Sequence, residues 1–258
     1  MLLQDKVVIV TGSTTGIGRA IAARAIEEGA RVLVHGRDRQ RGRQIVDALG
    51  DRARLHIDNL ADPQAPGRIV RAAVDAFGRL DAVVNNAAWV VRSNIHTTDV
   101  PLFDRVIATN VRAPFLIIQA AMEHLEKSQG CVLNIGSVNG YCGEEKLLAY
   151  AVSKGGLMTL SRNLGDSLHR CHGIRVNHFN VGWVLTENEL RYKIEDGLPP
   201  DWPDKLPKEY RPIGRLMKPE EIAAAAVWWI SDQSRPISGS VIELEQYPIV
   251  GRLLTKEV

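Results

Sequence analysis

Seven short apolar runs separated by helix-length segments constrain this 258-residue chain more than any other feature. They fall at 6–10, 31–35, 53–57, 81–85, 131–135, 174–179 and 240–244. Each is rich in Val, Ile and Leu with little polar alternation, which suits strands buried on both faces of a parallel sheet. Segment 17–29, IGRAIAARAIEEG, is amphipathic and stops at Gly29, a natural residue just past a helix end. Segment 219–231 opens on Pro219, with Glu220 and Glu221 placed to favour the positive end of a helix dipole. Strand alternating with helix predicts an α/β chain: a doubly wound parallel sheet of about seven strands with helices on both faces. No repeat, linker or low-complexity tract divides it, so one domain over 1–258 is expected.

Segment 186–215 breaks the rhythm. It holds Pro199, Pro200, Pro203, Pro207 and Pro212 around Trp202. A connection this long before the last helix predicts a lid or binding loop. The bulk properties remove other classes. A net charge of +2 leaves no basic field for nucleic acid or anionic lipid. No apolar stretch approaches the ~18 residues of a membrane span, and no secretory core follows MLLQDK. Cys131, Cys142 and Cys171 are odd in number and outside any CxxC, so reduced thiols in a cytoplasmic protein are expected, with no metal site.

The loop VTGSTTGIG runs from the first strand into the first helix. Gly12, Gly16 and Gly18 let the backbone turn tightly and approach a ligand. The helix start behind them offers free N–H groups to an anion such as a pyrophosphate. The spacing is GxxxGxG rather than GxGxxG. Gly12, Ser13, Thr15, Gly16, Ile17 and Gly18 are therefore expected to touch a dinucleotide. At the end of the second strand Gly36 stands where an acid would hold a ribose 2′-hydroxyl, and Arg37 follows. An arginine can clamp a 2′-phosphate that a carboxylate would repel, so NADP(H) is favoured over NAD(H). NAD(H) stays possible because Asp38 comes next, either pointing inward or capping the following helix.

Four further residues fall at strand ends and on one helix. Ser137 follows the strand 131–135, Tyr150 and Lys154 lie one turn apart in YAVSK, and Asn110 lies in ATNVRAP. Moving a hydride to or from carbon requires a proton to move at the adjacent oxygen. A free tyrosine has a pKa near ~10, too high for a good base at neutral pH. A nearby ammonium, helped by the positive ring of an oxidised nicotinamide, is expected to lower it.

Together with the first loop, these residues resemble the short-chain dehydrogenase/reductase family over nearly the whole chain. TGSTTGIG is similar to its cofactor loop, and NNAA, with Asn86 and Ala87, to its NNAG strand end. Asp58 in IDNL, beside Asn59 and Leu60, matches its adenine-contacting acid. Asn110, Ser137, Tyr150 and Lys154 match its catalytic tetrad. The resemblance implies a Rossmann-type fold with strand order 3-2-1-4-5-6-7 and a homotetramer. It implies Tyr150 as acid/base, Lys154 on the nicotinamide ribose, Ser137 on the substrate oxygen and Asn110 holding a water. Gly182, Val184 and Thr186 would meet the nicotinamide. Two departures stand out: Val181 precedes Gly182 where the family has Pro-Gly, leaving that backbone less restrained, and Glu245, Gln246 and Tyr247 replace a terminal Asp-Gly-Gly. The tail 248–258 is expected to pack on a neighbouring subunit or reach a site.

Asn139, Tyr141 and Glu144 after Ser137, Trp89 and Arg92 after NNAA, and Trp183, Glu187, Asn188, Tyr192 and Trp202 around the lid mix aromatic faces with polar groups. That mixture suits a polyhydroxylated or otherwise polar alcohol or carbonyl. Asn139, Glu144 and Trp183 are the foremost substrate candidates beside Ser137. A 3-oxoacyl or small-ketone reductase is the alternative, and a non-catalytic NADP(H) sensor is a third reading.

Overall fold

The computed structural model describes residues 1–141 and 144–250. Cys142 and the tail beyond Val250 lie outside the described residues. Strands β1 (Val7–Val10), β2 (Arg31–Gly36), β3 (Ala53–Ile57), β4 (Ala82–Asn85), β5 (Cys131–Ile135), β6 (Arg175–Val181) and β7 (Val241–Leu244) form one parallel sheet in the order β3-β2-β1-β4-β5-β6-β7. The seven apolar runs are these strands, shifted by no more than two residues at their ends. The order reverses between β1 and β4, so the crevice for a ligand opens beyond their carboxyl ends.

Helices α1 (Gly16–Glu27), α2 (Arg39–Leu49), α3 (Ala65–Phe77), α4 (Val100–Ile107), α5 (Ala113–Ser128) and α6 (Leu148–His172) connect the first six strands. Between α4 and α5 the chain makes one π-helical turn, Ala108–Arg112. Side chains alternate across the strands. Val8 and Val10 join Ile21, Val34, Phe179 and Ala226 on one face, while Val7 and Ile9 join Ile69, Ile117 and Val176 on the other. This is the doubly wound, Rossmann-type arrangement that the strand-helix rhythm implied.

Segment 186–215 is more ordered than a loop. It contains α7 (Glu187–Glu195) and the short α8 (Trp202–Lys205), and α9 (Pro219–Ile230) follows it. Trp202 is only 3% exposed, stacked on Trp183 with ring centroids 5.4 Å apart. Tyr210 meets Trp183 edge-on. These aromatics give the segment a small core of its own. No helix among the described residues is long and apolar enough to cross a membrane.

Candidate active site

A cleft of about 550 Å³ opens at the strand-order reversal and brings Gly12, Gly16, Arg37, Ser137, Tyr150 and Lys154 onto its walls. Gly12 has φ +64°, and a Cβ there would stand 2.8 Å from Ala87 Cα. A Cβ on Gly18 would run into the Asn86 amide. Asn86 Nδ2 donates to Thr11 O at 2.9 Å and Gly12 O at 3.2 Å, while Thr11 Oγ1 accepts from the Asn86 and Ala87 N–H groups at 3.0 Å. Gly12 N–H donates to His35 Nδ1 at 3.2 Å. The loop is thus braced from β2 and β4. Helix α1 has no side-chain cap and no acid in its first turn, which leaves its N–H groups for an anion.

Ser13 departs from expectation. It is fully buried, its hydroxyl donates to Val10 O at 2.6 Å, and its N–H donates to His35 O at 2.9 Å. It braces the loop from inside and offers neither group to the cleft. Gly18 also acts by packing rather than as a wall. Asp58 lies off the cleft wall, whereas Asn59 and Leu60 lie on it. Its carboxylate is gripped by Arg68 through two 2.8 Å bonds and by the Asn59 N–H, which hold it well below the usual carboxylate range.

Asp38 is the N-cap of α2: its Oδ1 accepts from Arg41 N–H at 3.0 Å. Arg41, one turn beyond, joins Arg37 on the cleft wall. The sequence reading missed Arg41, although the cap at Asp38 already placed it in the first turn of α2. Gly36 is required sterically, because a Cβ there would meet Thr14 Oγ1 at 2.9 Å. Glycines whose Cβ atoms would crowd the loop, an uncapped helix start and two guanidinium groups fit a dinucleotide.

At the other end, Lys154 is 3% exposed and its Nζ donates to Ile135 O at 2.7 Å. It lies 5.6 Å from the centre of the Tyr150 ring. Burial lowers Lys154 to about 8. Burial also pushes Tyr150 up to about 12, with Glu189 and Glu144 adding to the rise and the Ser137 hydroxyl pulling against it. The expected lowering of the phenol by lysine is absent from the protein alone. Desolvation of the ring is the largest cause, and the ammonium is directed at the Ile135 carbonyl. At neutral pH the pair therefore stands as phenol and ammonium.

Asn110 sits on the π-helical turn and is 1% exposed. Its Nδ2 donates to Trp89 O at 3.1 Å and Ser153 Oγ at 3.0 Å, and its Oδ1 accepts from Trp89 N–H at 2.7 Å. Both amide hydrogens are used, so the side chain braces Trp89 rather than donating to a water. Asn139 and Glu144 bond to one another at 3.2 Å beside Ser137, just off the cleft wall. Trp183 is off the wall too. Its ring is covered by Trp202, and its indole N–H donates to Glu189 Oε1 at 2.9 Å. It shapes the lid instead of offering a stacking face.

Thr186 and Gly182 line the cleft, and Val184 is buried behind them. Thr186 also caps α7, its Oγ1 accepting from Glu189 N–H at 3.1 Å. The missing proline at 181 is offset by Glu245, which packs under Gly182 and accepts from Trp183 N–H at 2.8 Å. Gln246 then holds Arg215 O at 2.8 Å. Two of the three residues that replace the terminal Asp-Gly-Gly thus fasten the chain on either side of the lid, and the backbone at Gly182 is restrained after all. Glu189, absent from the sequence candidates, lies on the cleft wall close enough to raise the phenol. Only the turn of α7 places it there.

A family model described as enoyl-(acyl carrier protein) reductase matches residues 12–245. An uncharacterized oxidoreductase of Thermotoga maritima is 34% identical over 95% of this chain and 98% of its own. An L-rhamnose 1-dehydrogenase (NAD(P)(+)) of a Sphingomonas species is 30% identical over 93% of this chain and 95% of its own. A solved 3-ketoacyl-(acyl-carrier-protein) reductase from Brucella melitensis, complexed with NADH, superposes with a TM-score of 0.82 at 26% identity, covering 94% of this chain and 97% of that one. The chain belongs to the short-chain dehydrogenase/reductase family. It is an oxidoreductase that acts on CH–OH or C=O groups with a nicotinamide cofactor.

Proposed function

We propose that the protein transfers a hydride between NADP(H) and a polar, hydroxyl-rich alcohol or carbonyl, with Tyr150 moving the proton. The convergence of Tyr150, Ser137 and Lys154 on one cleft with the glycine loop carries this reading. When bound, the nicotinamide supplies the carbon that gives or takes the hydride. Ser137 Oγ orients the substrate oxygen. Tyr150 gives that oxygen a proton in reduction; in oxidation it would take one as phenolate, a form that the positive ring of an oxidised nicotinamide would favour. Lys154, anchored on Ile135 O beside the Tyr150 ring, is the group assigned to the nicotinamide ribose. Asn110 keeps Trp89 in place at the cleft mouth.

Arg37 and Arg41 support NADP(H) over NAD(H). Asp38, the acid that follows Arg37 at the end of β2, is committed to the α2 cap. For the substrate, Glu189 on the cleft wall and Glu144 just off it put two carboxylates near Tyr150, beside the Lys154 ammonium. That disfavours an anionic substrate and favours hydroxyl donors, which a carboxylate accepts from readily. The Sphingomonas relative's sugar substrate agrees with this chemistry. Docking of an acidic carrier, as a 3-oxoacyl reductase needs, is disfavoured where Arg92 pairs with Asp196, Arg19 with Glu187 and Arg191 with Glu195. Exposed Val100, Phe115 and Val152 on α4, α5 and α6 support association into a homotetramer, which with a cytoplasmic location completes the reading.

The decisive experiment is fluorescence titration with NADPH and NADH, followed by NADP⁺-linked oxidation over a panel of aldoses and simple alcohols. Tighter NADPH and turnover of an aldose are expected. Tighter NADH, or turnover confined to hydrophobic ketones, overturns the respective half of the reading.

A further inference from the structure

Under the strand end that carries Ser137 lies a line of buried polar side chains. Asn85 Nδ2 donates to Asn134 Oδ1 at 2.8 Å, and Asn134 Nδ2 donates to Ser161 Oγ at 2.8 Å. His178 Nδ1 lies 2.9 Å from Ser161 Oγ, and His178 Nε2 lies 2.9 Å from Asn180 Oδ1. Asn180 Nδ2 then reaches Met158 Sδ at 3.3 Å. Asn85, Asn134, Ser161, His178 and Asn180 are each no more than 2% exposed.

Atom types fix the protons. Asn180 Oδ1 only accepts, so His178 Nε2 carries the hydrogen. Nδ1 is then an acceptor, 2.9 Å from the Ser161 hydroxyl, whose single hydrogen lies between it and Leu157 O at 2.7 Å. Burial first, with the Lys154 and Arg162 charges adding, takes His178 down to about 4, so the ring stays neutral. The imidazole is thus held from both sides, by Ser161 Oγ at Nδ1 and by Asn180 Oδ1 at Nε2.

His178 also fills a particular space. A Cβ on Gly136 would run into its imidazole. Gly136 N–H donates to Phe179 O at 2.6 Å, which draws the segment down onto the ring. On one side of Gly136 is Ile135, whose carbonyl holds Lys154 Nζ at 2.7 Å. On the other is Ser137.

We propose that His178 is a positioning residue. Locked between Ser161 and Asn180, its imidazole is the floor that sets the height of segment 135–137, and through it the placement of Lys154 Nζ and Ser137 Oγ about Tyr150. This rests on the reading of Tyr150, Ser137 and Lys154 as the reacting group.

The test compares the wild type with His178→Ala, Gly136→Ala and the double variant. NADPH Kd is measured by fluorescence, kcat on the aldose and alcohol panel, and the Tyr150 titration by ultraviolet phenolate absorbance against the same protein carrying Tyr150→Phe. Each single variant should keep NADPH Kd within about twofold and lose roughly 10- to 100-fold in kcat, the scale of a small misplacement. In His178→Ala the phenol midpoint should fall back toward its ordinary value as water enters. The double variant should lose less kcat than Gly136→Ala alone, because the added methyl occupies the vacated space. Unchanged kcat and phenol midpoint in His178→Ala, even with a lower melting temperature, would reduce the residue to a packing role and overturn the proposal. Should His178→Ala not fold alone, failure of the double variant to improve on Gly136→Ala overturns it. A wild type without turnover on any probe sinks the oxidoreductase reading instead, while the phenol midpoints still decide the role of His178.

Discussion

The Glu189 carboxylate accepts the Trp183 indole N–H at 2.9 Å, and its charge raises the Tyr150 phenol across the cleft. One acid thus links the lid to the reacting group. Glu189→Gln keeps a hydrogen-bond acceptor for the indole but removes the charge. Its expected effects are a lower Tyr150 midpoint in ultraviolet titration and a KM for the best aldose raised roughly tenfold, the scale of a lost charge-assisted bond. KM for a simple alcohol should stay put. Equal changes for both substrates would refute a role in reading hydroxyls.

Tyr150→Phe should abolish turnover and leave NADPH binding within about twofold, since the phenol oxygen supplies only the proton step. Retained kcat would remove Tyr150 from the chemistry.

In the cofactor-free protein the phenol should titrate at about 12 and Lys154 at about 8. Both shifts favour the neutral side chain, as burial requires. Raising the pH through 8 discharges the ammonium while the phenol stays protonated. Amine-directed labelling of Lys154 should therefore rise around pH 8, and phenolate absorbance from Tyr150 only far above it. Phenolate appearing before the amine loses its proton would contradict this order.

Arg37→Ala and Arg41→Ala should each weaken NADPH roughly tenfold or more and change NADH by less than about twofold. Titration of both cofactors on each variant checks this. Equal losses for NADPH and NADH would mean that neither guanidinium reads the 2′-phosphate.

Glu245→Ala leaves the Trp183 N–H without its acceptor, a loss of about 1–3 kcal/mol that falls on the lid rather than the sheet. Limited proteolysis should cut within 186–215 faster while the thermal transition of the sheet moves little. Unchanged cleavage would show that the lid's aromatic core holds without this anchor.

Much of this was legible along the chain. Parallel strands pair only through crossovers, so runs such as 7–10 and 131–135 had to be buried on both faces and wrote themselves as short runs rich in Val, Ile and Leu. The glycine loop and YAVSK are local: their spacing within one turn or one helix is fixed by covalent geometry, so sequence placed Gly12, Gly16, Tyr150 and Lys154 directly. What sequence could not supply is direction and distance between elements. Ser13 turning inward, Asp38 serving α2, Trp183 covered by Trp202 and Glu189 entering the cleft all depend on how separate segments meet. The phenol's rise, opposite to the expected fall, comes from desolvation, which exists only once helix α6 is packed. His178 and Gly136 are forty-two residues apart, and only the pairing of β5 with β6 makes the missing side chain of one the room for the other.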